Sequence, residues 1–422
     1  MGQRATAGVH ADGMGVVGAT TEFEPDVMDL LEQTVRRAVK GELAVVGTDT
    51  LLGELVLGDT DAGAAIAPGM RKAGSLSGLI KGHAGRGWVS DDEGHGVPVA
   101  AGAEDRADHD ADECEVDAAW REAQWRFGLG GRGAVPEGGR GLPGMTGAMR
   151  ACLLLALRSA RAEGTISVRC RHVARALLDL PDTRAREAML LERLDTAAAA
   201  TALDGLDARA AEETEGPESR GVTHLRRTGT VGKSGNRLTR AFASWTSQST
   251  VNGSPVLFVV SAEAVRQAVR CGRAAAEPVD LLLGILALDR ALSVAGRSLP
   301  GSLADANAAP ALLRRHGVRQ VSLVSSASCA SPAAVVPDGD GDGDGDGDGV
   351  WLSAAADRVV AVARLSAAEH GSPTVGTVHL LSALLDEGDA DAGAGGEVVR
   401  LLAADHVDVA ALRAELSLGL GA

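Results

Sequence analysis

The sequence predicts an all-α protein, and three observations carry that prediction. The 422 residues include 55 Gly, no Tyr and only 2% aromatic residues, so small aliphatic side chains must build the core, and Ala and Leu favour helices. Nearly the same phrase occurs twice, as VGTDTLLGELVLGD from Val46 and as VGTVHLLSALLDEGD from Val375. The leucines of the second phrase recur at helical spacing, which indicates one buried helix face.

The charge and the cysteines exclude several classes of protein. A formal net charge of -16 repels phosphate backbones, so we expect no nucleic-acid partner. The five cysteines are odd in number, scattered and without a CxxC pair, which predicts a reducing, cytoplasmic location. We expect neither export nor a membrane partner, because the sequence has no apolar signal segment and no run of about 18 apolar residues.

The phrase belongs to a longer unit that occurs four times. In three copies an apolar residue lies 28 positions before the first leucine of the phrase or its counterpart, in the pairs Phe23 and Leu51, Met145 and Val173, and Leu352 and Leu380. The remaining copy is interpreted as shorter, running from Val260 to Leu281 over 21 positions, with about two helical turns or a loop missing. Each copy ends in another apolar stretch, so the unit is predicted to be a long helix, a turn and two further helices.

Local signals mark the ends of these helices. Gly164 and Gly371 stand just past the first helix of their copies, where a C-terminal glycine is expected. Thr48 and Thr377 are placed to cap the second helix through a side-chain oxygen. One unit alone exposes too much apolar surface to be stable, so we expect the units to pair.

Paired units define two helical domains, in keeping with the two to three domains expected from the length. The first domain spans 20–205, with repeats at about 20–81 and 145–205. The second spans 255–418, with repeats at about 258–320 and 350–418.

The rest of the chain is predicted to be flexible or disordered because it is polar, charged or rich in glycine. These segments are the N-terminus at 1–19, an insert at about 82–144 within the first domain, a linker at 206–254 and an acidic Asp-Gly tether at 337–349.

The repeat resembles a known family. Its opening apolar residue, the two dozen residues that follow and a phrase of the form GTEHLL are similar to the Clp N-terminal domain, or Clp R, repeat of ClpC- and ClpA-type unfoldases. The resemblance implies two tandem Clp N-type helical domains, each a pseudo-twofold pair of repeats, without ATPase modules. The copies depart from the pattern, because the acid of TEH is kept only as Asp49 and the histidine only as His172 and His379.

The resemblance also implies a function. It points to a non-enzymatic adaptor or decoy that binds peptides or cyclic-peptide ligands, antibiotics included, and to Clp unfoldase or protease components as further partners. In the family the pocket lies near the start of a first helix and the TEH turn, which here implies ligand binding by Phe23, Glu24, Thr48 and Asp49. An acid there can receive an arginine guanidinium in a charge-assisted pair. The alternative is a structural or regulatory scaffold that self-associates or docks on a Clp ATPase.

Several strings imitate a catalytic or metal site without completing one. GTVGKS ends like a phosphate-binding loop, but Arg227 stands where the first glycine belongs. GLGGRG at 128–133 opens no helix, and the Asp-Gly run has Gly349 where a calcium loop needs a Glu. The histidines and the cysteine of the insert have no standard metal-ligand spacing. We therefore expect no catalytic residue, no metal and no cofactor.

One aromatic segment has two interpretations. WREAQWRFGL places Trp120, Trp125 and Phe127 within the predicted insert. Aromatic side chains anchor interfaces, so the segment is either a docking peptide or a helical turn that packs back on its own domain.

Overall fold

The computed structural model describes residues 18–83, 87–92, 103–130, 142–210, 216–232, 254–329, 350–390 and 395–420. Over these residues the protein is mostly helical, with nineteen α-helices, one short 3-10 helix and six two-residue strands. The predicted all-α class is confirmed at this level. None of the described helices is both long and apolar enough to cross a bilayer.

The first half of the chain, residues 18–210, contains nine of the helices and four of the strands. In order they are β1 (Glu22–Phe23), α1 (Pro25–Lys40), β2 (Val45–Val46), α2 (Thr48–Leu57), α3 (Asp61–Ile66), α4 (Met70–His83), α5 (Ala103–Gly130), β3 (Gly144–Met145), α6 (Gly147–Ala162), β4 (Ser167–Val168), α7 (Cys170–Asp179), α8 (Arg184–Leu191) and α9 (Thr196–Ala210).

The second half, residues 216–420, contains the other ten helices and two strands. In order they are α10 (Arg220–Arg227), α11 (Pro255–Arg270), β5 (Ala275–Ala276), α12 (Pro278–Val294), α13 (Gly301–Ala304), the 3-10 helix (Asp305–Asn307), α14 (Ala309–Arg315), α15 (Gln320–Cys329), β6 (Trp351–Leu352), α16 (Ala354–Glu369), α17 (Thr377–Ala390), α18 (Gly395–Ala404) and α19 (Val409–Leu420).

All four copies of the repeat have the same spacing. The first helices α1, α6, α11 and α16 are each 16 residues long. The second helix starts 23 residues after the first, from residue 25 to 48, 147 to 170, 255 to 278 and 354 to 377. The prediction of a shortened copy from Val260 to Leu281 is therefore wrong. That copy has full length, and Gly253 stands where the others have the apolar residue that opens the repeat.

The turn after the first helix is also the same in every copy. The residue 17 positions after the helix start has a left-handed backbone, with φ of 54° at Glu42, 73° at Gly164, 73° at Gly272 and 62° at Gly371. The expectation of a helix-ending glycine at Gly164 and Gly371 is confirmed. Glu42 adopts the same conformation although its Cβ makes the left-handed region costly.

Short parallel strand pairs join the two copies within each half. β1 pairs with β4, and β2 pairs with β3, so the start of each copy lies beside the segment that precedes the second helix of the other copy. In the second half β5 pairs with β6 in the same sense. This exchange, and not adjacency in sequence, decides which residues become neighbours.

The predicted disordered insert contains a core helix. Helix α5 occupies 28 of its residues and packs against α1, α6 and α11, which are the first helices of three copies. Trp120 and Phe127 are buried in the first hydrophobic cluster, and Trp120 Nε1 donates to the Pro143 carbonyl at 3.2 Å. The insert is therefore structural over 103–130, because its small and aromatic side chains cover apolar helix faces. The packing-back interpretation of WREAQWRF is confirmed for these two residues.

The predicted linker at 206–254 is also partly ordered. Helix α9 continues to Ala210, and α10 packs Val222 and Leu225 into the second hydrophobic cluster. Buried apolar side chains form one cluster between residues 23 and 203 and another between 222 and 416. Most of the predicted flexible N-terminus and the Asp-Gly tether lie outside the described residues.

Candidate functional site

The four residues predicted to bind a ligand lie in two separate places. Phe23 and Glu24 are beside β4, because Phe23 pairs with Val168 in the β1–β4 register. Thr48 and Asp49 begin α2 beside β3 instead. The strand exchange brings each helix start next to the turn of the other copy, so the four residues divide between two strand pairs, and ligand binding by all four stays a prediction.

Thr48 has a structural role different from the predicted cap. Gly47 is the N-cap of α2, and Thr48 is the first helical residue. The Thr48 N–H donates to Asp92 Oδ2 at 2.7 Å, its hydroxyl also donates to Asp92, and its Oγ1 accepts from the N–H of Ala185 at 3.0 Å. Asp92 Oδ1 accepts from the N–H of Arg184 at 2.9 Å. The Asp92 carboxylate therefore accepts hydrogen bonds from the N-terminal backbone of both α2 and α8.

Asp49 is enclosed next to this carboxylate. It is 3% exposed, and its Oδ1 has no hydrogen-bond partner among the described residues. A Cβ on Gly47 would lie 2.5 Å from Asp49 Oδ1 and 2.7 Å from Asp92 Oδ2, so any side chain there would force both carboxylates to shift. Burial, and secondly the Asp92 carboxylate, raises the pKa of Asp49 to about 6. An enclosed acid of this kind is not open to a guanidinium from outside.

The two histidines of the repeated phrase are helix caps. His172 Nδ1 lies 2.8 Å from the backbone N of Arg169, and His379 Nδ1 lies 3.1 Å from the backbone N of Gly376, so each ring accepts an N–H at the start of its helix. Both residues are buried. Their interpretation as core histidines is confirmed by this burial. The counterpart Thr377 Oγ1 has no partner among the described residues, so the predicted cap by Thr377 is wrong.

Phe23 and Glu24 line a cleft between the two halves of the chain. Its walls come from the start of α1, the end of α5, helix α10 and the facing sides of α11 and α12, and its volume is about 250 Å³. Phe258 on α11 is 54% exposed and stacks at a tilt on His224, with ring centroids 4.8 Å apart. Trp125 of α5 completes the aromatic lining. We call this space the cleft.

A buried ion cluster forms the floor of the cleft. It consists of four acids from the first half and three arginines from the second, namely Glu22, Glu24, Glu115, Glu122, Arg266, Arg270 and Arg290. Arg270 binds Glu115 at 2.6 Å and Glu122 at 3.0 Å. Arg266 donates to Glu22 at 2.8 Å and to Glu122 at 3.1 Å. All seven side chains are at most 14% exposed, so the two halves meet through desolvated charges.

The arginines decide the ionisation of the acids. Burial alone would raise the pKa of Glu122, but Arg266, Arg126 and Arg270 lower it to about 2. Against the same burial, Arg290, Arg266 and Arg270 hold the pKa of Glu22 well below its usual range. These two carboxylates are therefore charged at neutral pH, and an unpaired partner would be costly.

Glu24 already has a guanidinium partner. Its Oε1 accepts from Arg290 Nη1 at 3.0 Å, and the same nitrogen donates to the Ile166 carbonyl at 3.2 Å. Burial raises the pKa of Glu24, and Arg290 opposes that shift. Glu24, one of the four predicted ligand-binding residues, is therefore already paired with an arginine of the chain itself.

Sequence reasoning missed the arginines and the role of Trp125. The available signal was a single arginine within an apolar helix, as in LLLGILALDRALSV, where Arg290 is the only cation. Such a residue must find a buried acid. Its partner lies 266 residues away in sequence, and no local pattern specifies it.

The described residues offer no candidate metal centre. Among them, no group of three or more His, Cys, Asp or Glu side chains could hold a metal ion. Lys233 and Ser234 of GTVGKS lie outside the described residues, as does the Asp-Gly run. A scan against protein-family models, a search of curated proteins and a search of solved structures each found no match to this chain.

Proposed function

We propose that this protein is a non-enzymatic binding module that receives a short peptide segment in the cleft. One observation carries the proposal. The chain has only four Phe, five Trp and no Tyr, and three of these nine aromatic side chains line this single cleft. Aromatic anchors in a partly enclosed pocket are typical of peptide recognition. Phe23 and Glu24 keep their predicted place at the ligand, whereas Thr48 and Asp49 act as structural supports.

The repeat architecture supports a finer proposal. Four copies with one helix spacing, joined in pairs, agree with the two pseudo-twofold domains that the resemblance to the Clp N-terminal repeat implies. On that basis the protein acts as an adaptor or a decoy that holds peptides or cyclic peptides destined for a Clp unfoldase. Both roles require peptide binding but no ATPase activity.

The test is a titration of the full chain. We expect a short peptide of the form Ac-Ala-Ala-Leu and an apolar cyclic peptide to bind, measured by calorimetry. Phe258→Ser removes an exposed aromatic wall, so it should weaken binding at least about tenfold. Trp351→Ser is the matched control, because Trp351 is also more than half exposed but does not line the cleft. Equal loss in both variants, or no binding by either peptide, would contradict the proposal.

A scaffold is the second candidate function. The observation in its favour is the Glu24–Arg290 pair, in which a residue of the predicted ligand site is already bound by an arginine of the same chain. A scaffold that self-associates would change its mass with concentration, and one that docks on a Clp ATPase would bind it when the cleft is mutated. Light scattering over a hundredfold concentration range, together with pull-down by the Phe258→Ser variant, separates these roles from peptide binding.

A further inference from the structure

We infer that the cleft binds a carboxylate group, held by three side-chain donors that have no hydrogen-bond partner among the described residues. The inference rests on the proposed function and names its ligand class. The expected ligand charge differs from that of the arginine-type ligand implied by the resemblance, whose guanidinium is predicted to pair with Asp49, a residue that does not line the cleft.

The donors come from two halves of the chain. Arg126 uses Nε and Nη2 on Glu122, at 3.0 and 2.6 Å, and its Nη1 has no hydrogen-bond partner among the described residues. Asp29 Oδ1 lies 3.7 Å from that nitrogen, beyond hydrogen-bond distance. Arg290 uses both terminal nitrogens on Glu22 and Glu24, which leaves Nε unpartnered.

Trp125 supplies the third donor. Its indole Nε1 is buried and has no partner among the described residues, whereas the neighbouring Trp120 donates to a carbonyl. Arg126 and Arg290 are 9% and 6% exposed, and all three residues line the cleft. A buried donor without a partner is unfavourable, so a ligand acceptor would relieve a cost already present in the free protein.

The acceptors of the cleft are already in use. Glu24 accepts from Arg290, and Glu263 accepts from Arg266 at 2.6 Å. Among the described residues that line the cleft, no buried side-chain acceptor lacks a partner. Arg220, exposed on the rim, adds positive charge at the entrance. A cationic ligand would find donors and arginines but no free acceptor, whereas a carboxylate would find donors without partners, beside glutamates that are already paired with arginines.

The shape of the cleft limits what can carry the carboxylate. A volume of about 250 Å³ is slightly below the roughly 300 Å³ at which small-molecule pockets begin, so one peptide residue fits with its charged group. Phe23 and Phe258 offer an apolar wall for its side chain. Two sources supply this chemistry, namely the free C-terminus of a peptide and the side chain of an internal acid.

Three peptide probes distinguish the sources in titrations of the full chain. They are Ac-Ala-Ala-Leu with a free carboxylate, the same peptide as its C-terminal amide, and Ac-Ala-Glu-Leu as the amide. A C-terminal source predicts that the first binds at least about tenfold more tightly than both amides. An internal-acid source predicts that the third binds as tightly as the first. Equal affinity of all three would overturn the inference while leaving peptide binding in place.

One conservative variant tests the donors directly. Trp125→Phe keeps an aromatic ring but removes the indole N–H, so carboxylate probes should bind about ten- to a hundredfold more weakly, and the uncharged amide should be little affected. Trp120→Phe is the matched control, because its indole donates elsewhere and does not line the cleft. Unchanged carboxylate affinity in Trp125→Phe would overturn the inference. If Trp125→Phe also lost binding of the uncharged amide peptide, the indole N–H would not act on a carboxylate, and the proposed binding of peptides in the cleft would be contradicted instead.

Discussion

Arg290 Nη1 donates to Glu24 Oε1 at 3.0 Å across the junction between the two halves of the chain. Neither side chain is more than 6% exposed, and Arg290 also binds Glu22 at 3.1 Å. The relationship joins the start of the first repeat to the second helix of the third. It fixes the floor of the cleft and makes the two halves depend on each other for charge balance.

The first prediction concerns that junction. Arg290→Met should lower the free energy of unfolding by about 3 to 5 kcal/mol, because it leaves buried carboxylates without their cation. Urea denaturation at neutral pH measures the change. Arg314→Met is the control, since the Arg314–Asp289 pair is about one-third exposed and should cost about 1 kcal/mol or less. The double variant Arg290→Met, Glu24→Gln should recover part of the loss; no recovery would mean that the unpaired acid is not the cause.

The second prediction concerns helix α5. Trp120→Ala should destabilise the protein by about 3 to 5 kcal/mol, because it empties a core position and removes the bond to Pro143. Leu129→Ala on the same helix should change stability by about 0.5 kcal/mol or less, since Leu129 is more than half exposed. Thermal unfolding compares the two. Small effects of equal size in both variants would mean that residues 103–130 do not pack into the core.

The third prediction is a dependence on pH. The pKa of Asp49 is about 6 in the folded protein and about 3.8 in an unfolded chain, so the folded state holds the proton more tightly. Its contribution to the free energy of unfolding is therefore present at pH 4 and is lost as the pH rises through 6. Asp49→Asn should be more stable than wild type at pH 8 by up to about 3 kcal/mol, and near wild type at pH 4.

Urea denaturation at both pH values measures this difference. Asp92 is the second-largest cause of the raised pKa, so Asp92→Asn should shift the pH dependence attributed to Asp49 to lower pH. A stability difference between wild type and Asp49→Asn that is constant from pH 4 to 8 would contradict the assignment.

The fourth prediction concerns the shared helix cap. Asp92→Ala leaves the N–H groups of Thr48 and Arg184 without their acceptor, so we expect a loss on the order of 2 to 5 kcal/mol. Asp92→Asn keeps one oxygen and should lose clearly less. Asn307 makes the matching bond to the N–H of Thr377 at 3.0 Å in the second half, which shows that an amide oxygen suffices there. Equal losses in the two Asp92 variants would mean that the negative charge, not the acceptor, is what matters.

The local parts of the fold could be predicted from sequence. The positions of α2, α6, α7 and α17, and the left-handed glycines Gly164 and Gly371, follow from apolar spacing and from residues that end helices. Composition alone predicts disorder for residues 103–130, and this prediction is wrong. Acidic and glycine-rich flanks concealed α5, whose few aromatic and alanine side chains still form a buried face. The copy whose first helix begins at Pro255 reads as shortened in sequence, because Gly253 stands where the other copies have an apolar opening residue.

By itself, the sequence determined that this protein is helical and built from a fourfold repeat, because helix periodicity and helix ends are local properties of the chain. Only the tertiary structure decided which of those repeats touch. The parallel strand exchange put Phe23 beside Val168 and separated it from Asp49, and burial between α5, α11 and α12 paired Glu24 with Arg290. Desolvated charges find partners wherever packing brings them, however far apart they lie in sequence. The cleft therefore belongs to the packing of the two halves, and no single stretch of sequence contains it.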